Sequence, residues 1–235
     1  MSKNTTDTNQ ASEVLQGDCL ELMKDIPDGS VDMILADLPY GEVNRKSSGL
    51  RSLDKGIADI CNIDLVSLCS EYKRVCKGTV YLFCGIEQIS LLTSELKKLG
   101  FSTRLGQWEK SNPSPMNGTK IWLSGSEFCV IARKPNSTFN RHCEKPIWKY
   151  PVGRNKLHPT QKPVALFEYL IESSTNEGDL VLDNVAGSGT TGVAAQNLNR
   201  NFILMEQEPE YVEIIKQRLE LNKEQLTKLV QPSLV

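Results

Sequence analysis

Four residues at the end of an apolar run carry the first chemical signal in this sequence. Asp37-Leu38-Pro39-Tyr40 closes the run 31–36, whose length and composition are typical of a buried strand. A carboxylate, a backbone carbonyl and an aromatic ring would then meet at one point. The carboxylate and the carbonyl can accept hydrogen bonds from an amine, and the ring can stack on a flat heterocycle. The tetrapeptide therefore indicates a nucleobase pocket, although four residues alone are weak evidence.

A glycine-rich segment later in the chain has the pattern of a nucleotide site. It joins a predicted strand, 180–183, to a predicted helix, 188–198, through Gly187 and Gly189. Such glycines let the backbone approach a ligand closely, and the following helix N-terminus favours an anionic group. Glu206 follows Gly187 by 19 positions, where an acid commonly binds ribose hydroxyls. The alternative interpretation is a plain tight turn with a surface glutamate. The spacing between the glycines and Glu206 favours the nucleotide site.

The composition of this loop and its place in the chain exclude two common nucleotide binders. A phosphate-binding nucleotidase would carry Gly-Lys-Ser/Thr, whereas Gly189 is followed by Thr190-Thr191. A dehydrogenase usually carries its glycine loop after its first strand, and here the loop follows Asp37 by more than half the chain. The order of the two motifs therefore indicates another class.

In that order the chain resembles the permuted, beta-class amino-group DNA methyltransferases, over roughly residues 14–218. Their catalytic tetrapeptide, of Asp-Pro-Pro-Tyr type, precedes a cofactor loop of Asp-Pro-Phe-x-Gly-Ser-Gly-Thr-Thr type. Asp37–Tyr40 and Asp183–Thr191 are similar to these two motifs. His158–Pro163 matches the His-Pro-x-x-Lys-Pro signature just upstream of the cofactor loop.

Two further segments support the resemblance. Trp108-x-Lys110-x-x-Pro113, with Glu127 after it, is similar to the segment that lines the target-base pocket in this family. Residues 15–19 resemble the opening strand, at whose end an acid reaches the adenine of the cofactor. Taken alone, Trp108 would be a core residue and Lys110 a solvated charge.

The resemblance implies an α/β, Rossmann-like fold with a mostly parallel, doubly wound sheet and one antiparallel strand. It implies S-adenosyl-L-methionine as the cofactor and no metal. The implied reaction is methyl transfer to the N6 amine of adenine in double-stranded DNA after base flipping. N4 of cytosine is an open alternative, although a leading aspartate favours adenine. A catalytically degenerate DNA-binding homologue is another. Transfer to cytosine carbon-5 is excluded, because no Pro-Cys nucleophile occurs.

The resemblance also assigns residues to roles, with departures at Leu38, where the family has proline, and at Asn184-Val185, where it has Pro-Phe. Asp18 taken alone would more often be a helix cap. The catalytic residues implied are Asp37, Leu38, Pro39 and Tyr40. The cofactor-binding residues implied are Asp18, Cys19, Asp37, His158, Thr160, Lys162, Asp183, Asn184, Gly187, Ser188, Gly189, Thr190, Thr191, Glu206 and Gln207.

A local excess of cations indicates where DNA would bind. The stretch 133–162 holds eight lysines and arginines against Glu144 alone, although the whole chain has a net charge of −2. The excess favours phosphate contact over the alternative of a solvated loop. The predicted contacts to DNA and the target base are Trp108, Lys110, Pro113, Arg45, Lys46, Arg51, Arg141, Lys149 and Arg154.

The remaining composition predicts one globular domain in a reducing compartment. Seven scattered cysteines without a Cys-x-x-Cys pair, and two histidines without ligand spacing, argue against disulfides and zinc. No apolar run approaches membrane-spanning length, so we expect a cytoplasmic protein with no membrane partner. We expect a disordered tail over 1–12 and a methyltransferase domain over 13–230. The domain would contain a mobile loop, 41–60, and a small target-recognition insertion, 133–157. Homodimerisation, known in this family, is left open.

Periodicity predicts alternating strands and helices. The predicted strands are 14–16, 31–36, 79–84, 103–108, 128–132, 180–183 and 202–205. The predicted helices are 19–24, 63–76, 89–99, 163–173, 188–198 and 209–226, the last with a stripe interrupted by Asn222.

Overall fold

A computed structural model describes residues 12–39, 63–115, 118–153 and 161–230. Predicted features in the other ranges lie outside the described residues. They are most of the tail, the loop 41–60, and Tyr40, Arg45, Lys46, Arg51, Cys61, Arg154, His158 and Thr160.

The core of the fold is one eight-stranded sheet in the order β1-β8-β7-β2-β3-β5-β4-β6. Of the described strands, β5 alone runs antiparallel to its neighbours, which confirms the mostly parallel sheet with one antiparallel strand. The strands are β1 (Glu13–Gln16), β2 (Val31–Asp37), β3 (Cys76–Cys84), β4 (Ser102–Lys110), β5 (Ser126–Arg133), β6 (Ile147–Tyr150), β7 (Leu180–Asp183) and β8 (Asn201–Glu206).

Helices cover both faces of the sheet and close two separate cores, as expected for parallel strands that are apolar on both sides. One core packs α1, α2 and α3 on one face of the sheet, and the other packs α4, α5 and α6 on the opposite face. The helices are α1 (Cys19–Met23), α2 (Leu65–Val75), α3 (Ile86–Lys98), α4 (Val164–Ser174), α5 (Thr190–Asn197) and α6 (Pro209–Val230). This is the predicted Rossmann-like α/β architecture.

Helix boundaries follow local signals in the sequence. Pro163 caps α4 with an extended backbone (φ −64°), because its ring fixes φ and it has no N–H to lose. Gly100, with φ +89°, follows α3 in the left-handed region, where glycine avoids the steric cost that a Cβ imposes. Ser12, assigned to the tail by sequence, already accepts a hydrogen bond from the Phe202 amide at 3.3 Å.

The order of strands changes direction between β2 and β7, which lie side by side. From β2 the chain continues to β3 on one side, and from β7 it continues to β8 on the other. At such a point the two connections leave in opposite directions and open a crevice at the carboxyl ends of the strands, where ligands bind in α/β sheets. Asp37 ends β2 and Asp183 ends β7, so both predicted motifs lie at this crevice.

One strand was absent from the prediction. The stretch after β5 was expected to be irregular, but β6 lies within it and pairs with β4. Its Trp148 is buried over Gly106, where a Cβ would overlap the indole ring. The prediction was wrong here because a four-residue strand has too few positions for a period and depends on this long-range packing.

Asn222, which interrupts the apolar stripe of α6, has polar partners on α5. Its Nδ2 donates to Gln196 Oε1 at 3.0 Å and to Asn197 Oδ1 at 2.9 Å. The side chain therefore ties α6 to the end of α5. Among the described cysteines, five are buried free thiols and Cys143 is exposed. In the described ranges no helix has the length and apolarity to cross a membrane.

Candidate active site

The backbone around Asp37 is fixed by hydrogen bonds to the neighbouring strand and helix. The Leu38 amide donates to the Phe83 carbonyl at 2.9 Å, which extends the β2–β3 pairing past the end of β2. The Leu38 side chain is buried, so the leucine that replaces the usual proline is accommodated in the core. The substitution leaves the backbone of the tetrapeptide in register with β3.

Gln88 in the first turn of α3 holds the next residue of the tetrapeptide. Its Nε2 donates to the Pro39 carbonyl at 2.9 Å, and its Oε1 accepts from the Gly85 amide at 2.9 Å. Sequence reasoning did not identify this residue. A glutamine three positions after a helix cap is a recognisable capping signal, but nothing local indicates that it reaches β2.

Asp37 belongs to a chain of four alternating charges drawn from four segments. Lys162 Nζ lies 2.5 Å from Asp37 Oδ2 and 2.9 Å from Glu127 Oε2. Lys110 Nζ lies 2.7 Å from Glu127 Oε1. The resemblance placed Lys110 and Glu127 in the target-base segment and Lys162 among the cofactor-binding residues, but the structure joins all three to the Asp37 carboxylate in one chain of ion pairs.

The four side chains of this charge chain are between 3% and 24% exposed, and apolar groups lie beside them. Burial alone would raise the pKa of Glu127, but the ammonium groups of Lys162 and Lys110 outweigh burial and lower it to about 2. Lys162 Nζ also lies 5.4 Å from the centre of the Phe83 ring. Burial raises the pKa of the nearby Cys84 thiol to about 12. Neutral thiols and an aromatic face therefore surround a balanced set of charges.

The glycine loop after β7 is shaped by the two glycines and by Asp183. Gly187 and Gly189 have φ of 52° and 76°, values that favour glycine. Asp183 Oδ1 accepts from the Val185 amide at 3.1 Å, and its Oδ2 accepts from the Thr191 hydroxyl. Burial raises the pKa of the Asp183 carboxyl to about 7, against these hydrogen bonds. Asp183 thus orders the loop and the start of α5 from within the core.

Arg218 on α6 holds the same loop from outside. Its Nη1 donates to the Ser188 carbonyl at 2.9 Å, to Ser188 Oγ at 3.2 Å and to Thr190 Oγ1 at 3.3 Å. The sequence did not indicate this residue, because arginine on an amphipathic helix is ordinarily a solvated charge. Its three contacts make it a structural clamp on the loop.

Glu206 lies beside the glycine loop at the end of β8. Its two carboxylate oxygens accept from the Gly187 amide at 2.8 Å and the Glu208 amide at 2.9 Å. Burial raises its pKa, against the hydrogen bonds from those amides. The Gly17 amide donates to its backbone carbonyl at 3.0 Å, which brings the end of β1 to the same place. A carboxylate can accept further hydrogen bonds, so Glu206 keeps its predicted capacity for ribose hydroxyls.

Asp18 acts as a helix cap, the alternative that the sequence allowed. Its Oδ1 accepts from the Leu20 amide at 2.9 Å and from the Glu21 amide at 3.1 Å, at the start of α1. The neighbouring Cys19 is buried. The cap fixes Asp18 at the carboxyl end of β1, next to the strand that carries Glu206.

Asn184, which replaces the family's usual proline, has a buried partner. The Tyr72 hydroxyl on α2 donates to Asn184 Oδ1 at 2.7 Å, and the asparagine is 1% exposed. Replacing a proline with a buried amide is costly unless the amide is hydrogen bonded. Tyr72 meets that requirement for the amide oxygen, whereas Asn184 Nδ2 is buried with no hydrogen-bond acceptor among the described residues.

Comparison with known proteins assigns the family. Residues 31–217 match the N6/N4 methyltransferases, a family described as DNA methylases, and the matched range contains both motifs of the crevice.

The chain belongs to the N6/N4 DNA methylase family.

Two type II methyltransferases agree with this assignment. The type II methyltransferase M2.MboI of Moraxella bovis is 34% identical over 236 residues, covering 87% of this chain and 86% of the relative. The type II methyltransferase M.HinfI of Haemophilus influenzae is 30% identical over 244 residues, covering 88% of this chain and 67% of the relative. The resemblance inferred from the motifs is thereby confirmed.

Solved structures share the fold. M1.HpyAVI in complex with SAM is 34% identical, with a TM-score of 0.71 over 88% of this methylase and 98% of that chain. The cytosine-N4-specific PvuII DNA methyltransferase has a TM-score of 0.70 at 19% identity, over 93% of each chain. The second comparison supports the fold alone.

The predicted target-base segment of this methylase divides into a buried and an exposed part. Trp108 is 1% exposed and its indole N–H donates to the Tyr150 carbonyl at 2.9 Å, so it packs in the core. Lys110 Nζ lies 5.4 Å from the centre of its ring. In this conformation the Trp108 ring packs against the Lys110 ammonium, and the buried ring has no face available to stack on a base. Pro113 follows on the connection that leaves the crevice edge.

The described cations of the basic stretch of this methylase, within 133–153, lie at different ends of the strands. Arg133 and Lys134 lie at the end of the antiparallel strand β5, at the sheet edge opposite Asp37. Arg141 pairs with Glu172 on α4. Lys149 on β6 runs toward the crevice edge, and its ammonium lies 2.7 Å from Glu109. Position therefore favours Lys149 over Arg133 and Lys134 as a contact to DNA at the crevice.

Proposed function

We propose that this DNA methylase transfers a methyl group from S-adenosyl-L-methionine to the N6 amine of adenine in double-stranded DNA. The observation that carries the proposal is the position of Asp37. It ends β2 at the crevice, directly beside β7 and its glycine loop, and a buried lysine pairs with its carboxylate. A carboxylate fixed next to a nucleotide loop can meet an amine that enters the crevice from outside.

The residues at the crevice fit the proposed cofactor. S-adenosyl-L-methionine supplies an electrophilic methyl group on a sulfonium when it is bound. Glu206 offers a carboxylate for ribose hydroxyls, and Asp18 stands at the next strand end for the adenine. Gly187 and Gly189 give the loop backbone its left-handed turns, and a Cβ on Gly189 would press against Ile215 of α6. Asn184 and Asp183 shape the loop from the core side.

Asp37 and the Leu38 carbonyl would activate the target amine. The lone pair of that nitrogen is delocalised into the base ring, so it is a poor nucleophile. Acceptors placed at the amine hydrogens stabilise the positive charge that develops on nitrogen as the carbon–nitrogen bond forms, while the bond between the methyl carbon and sulfur breaks and leaves a neutral thioether. The methylated nitrogen then loses one proton to water or through Asp37. Because the amine becomes acidic only after methylation, Asp37 need not be a strong base beforehand.

The target base must leave the duplex to reach this point, since the amine is otherwise buried in a base pair. Tyr40, the last residue of the tetrapeptide, is proposed to stack on the flipped base. Aromatic platforms of this kind contribute about 1–3 kcal/mol per base. An aspartate at the head of the tetrapeptide favours adenine over cytosine as that base.

The test is labelled methyl transfer with analysis of the product. Purified protein is incubated with methyl-labelled S-adenosyl-L-methionine and, separately, unmethylated DNA, RNA and protein. The DNA is then digested to nucleosides for mass spectrometry. We expect label in DNA as N6-methyladenine. Label in DNA as N4-methylcytosine would replace the base assignment, and label only in RNA or protein, or in none, would overturn the proposal.

A further inference from the structure

Lys162 contacts the proposed catalytic carboxylate directly. We propose that Lys162 is a positioning residue that holds the Asp37 carboxylate in the orientation that receives the target amine, and that it is not a ligand of the cofactor. The inference rests on the proposed function and adds to it a residue that sets the geometry of catalysis. It replaces the cofactor-binding role that the resemblance gave to Lys162.

Burial is the first argument for this role. Lys162 is 4% exposed, and an ammonium group at that depth is stable only when charged partners replace its lost water. Those partners are Asp37 Oδ2 at 2.5 Å and Glu127 Oε2 at 2.9 Å. Two short contacts to carboxylates on different strands fix the ammonium in space. The ammonium in turn fixes Asp37.

The backbone of Lys162 is restrained independently. Pro163 follows it and caps α4, and a residue before proline is confined to extended conformations. From this position the side chain reaches across to β2 and β5. Its Nζ lies 5.4 Å from the centre of the Phe83 ring, which is stacked on Phe167 of α4 with centroids 5.7 Å apart. Little conformational freedom is left for the side chain to take another position.

Glu127 and Lys110 complete the arrangement. Lys110 is the last residue of β4 and Glu127 the second of β5, and they pair at 2.7 Å. Glu127 is held ionised by both lysines, with a pKa of about 2. Because Glu127 stays ionised, its carboxylate holds the Lys162 ammonium between the two acids and keeps it from pairing with Asp37 alone. The charges of Asp37, Lys162, Glu127 and Lys110 sum to zero, so the ammonium groups are balanced by carboxylates within the arrangement.

The experiment measures chemistry and cofactor binding separately in Lys162→Met. A displaced reacting group typically costs about 10²-fold in rate, so we expect the single-turnover methylation rate to fall about 10²-fold. The dissociation constant for S-adenosyl-L-methionine, measured by calorimetry, should stay within about threefold of wild type. Lys162→Arg should recover part of the rate, because guanidinium can also pair with two carboxylates. Lys98→Met, which removes an exposed ion pair on α3, is the control and should match wild type.

Three outcomes would overturn the inference. One is a rate in Lys162→Met equal to wild type. Another is a cofactor affinity that falls in Lys162→Met as far as the rate does. If Lys162→Met does not fold, as judged by circular dichroism, Glu127→Gln takes its place, with an expected rate loss of about tenfold and unchanged cofactor affinity. In that case, an unchanged methylation rate in Glu127→Gln would be the third outcome that overturns the inference. A wild-type protein inactive on DNA would instead overturn the proposed function.

Discussion

Asp37 and Asp183 show how one residue type acquires two roles at adjacent strand ends. Asp37 is partly exposed and paired with the Lys162 ammonium, whereas Asp183 is buried and accepts hydrogen bonds from two neutral donors, the Val185 amide and the Thr191 hydroxyl. The tetrapeptide and the glycine loop could both be predicted from the sequence because each is a contiguous motif. The partners of Asp37 could not, since Lys162 lies 125 positions away and pairs only after folding.

The buried Asp183 predicts a dependence of stability on pH. Its pKa rises from an ordinary 3.8 to about 7 on folding, so between those values the unfolded chain is ionised there while the folded chain keeps its proton. The contribution of this group to stability therefore falls as pH rises from 4 to 7, by about 4 kcal/mol. Asp183→Asn removes this titration. Urea denaturation from pH 4 to 7 should show that the free energy of unfolding of the variant increases relative to that of wild type as the pH rises. A difference in unfolding free energy that stays the same at every pH would contradict the prediction.

At the scale of elements, most of the fold follows from periodicity, and the exceptions follow from contacts between elements. The predicted helices and seven predicted strands appear near their expected ranges. β6 was not predicted because it depends on Trp148, whose ring packs over Gly106 of the neighbouring strand, where a Cβ would overlap it. The contact of Arg218 with the glycine loop was not predicted for a related reason. Its amphipathic helix was predicted, but the helix face that meets the glycine loop is set by packing between α5 and α6.

Arg218 on α6 predicts a specific loss of cofactor affinity. Arg218→Met removes three hydrogen bonds to residues 188 and 190 and leaves the loop less ordered before binding. Hydrogen bonds from a charged group contribute about 1.5–3 kcal/mol, so we expect the dissociation constant for S-adenosyl-L-methionine to rise by at least about tenfold. The methylation rate at saturating cofactor should change little.

The control for Arg218→Met lies on the same helix. Lys216 is exposed and pairs with Glu213 on the surface, so Lys216→Met should leave cofactor affinity unchanged. Calorimetry on both variants tests the idea. Equal affinities in the two variants would show that Arg218 does not order the loop.

At the scale of the whole molecule, the sheet separates the charges into two edges. The carboxyl ends of the parallel strands bring the tetrapeptide, the glycine loop and Glu206 to one edge. The sequence predicted a basic face from the stretch 133–162, but β5 runs against the other strands and carries Arg133 and Lys134 to the far edge. A count of cations along the chain contains no information on which edge each one reaches.

The positions of Lys149 and Lys98 at opposite ends of the strands predict different effects on the salt dependence of DNA binding. Lys149 and Lys98 are matched, with side-chain exposures of 65% and 66% and glutamate partners at 2.7 and 2.6 Å. Lys149 is directed to the crevice edge, and Lys98 ends α3 at the opposite edge. If Lys149 contacts a phosphate, Lys149→Ala should reduce the slope of log affinity for DNA against log salt by about 1. Lys98→Ala should not change the slope, and equal slopes in both variants would contradict this orientation of DNA.

We propose that Asp37 activates the target amine for methyl transfer, at a crevice that binds the cofactor without help from this carboxylate. The most direct measurement compares Asp37→Ala with wild type in methylation of unmethylated DNA and in calorimetric binding of S-adenosyl-L-methionine. We predict that the variant transfers no detectable methyl group and still binds the cofactor. Methylation by Asp37→Ala at the wild-type rate would contradict the account.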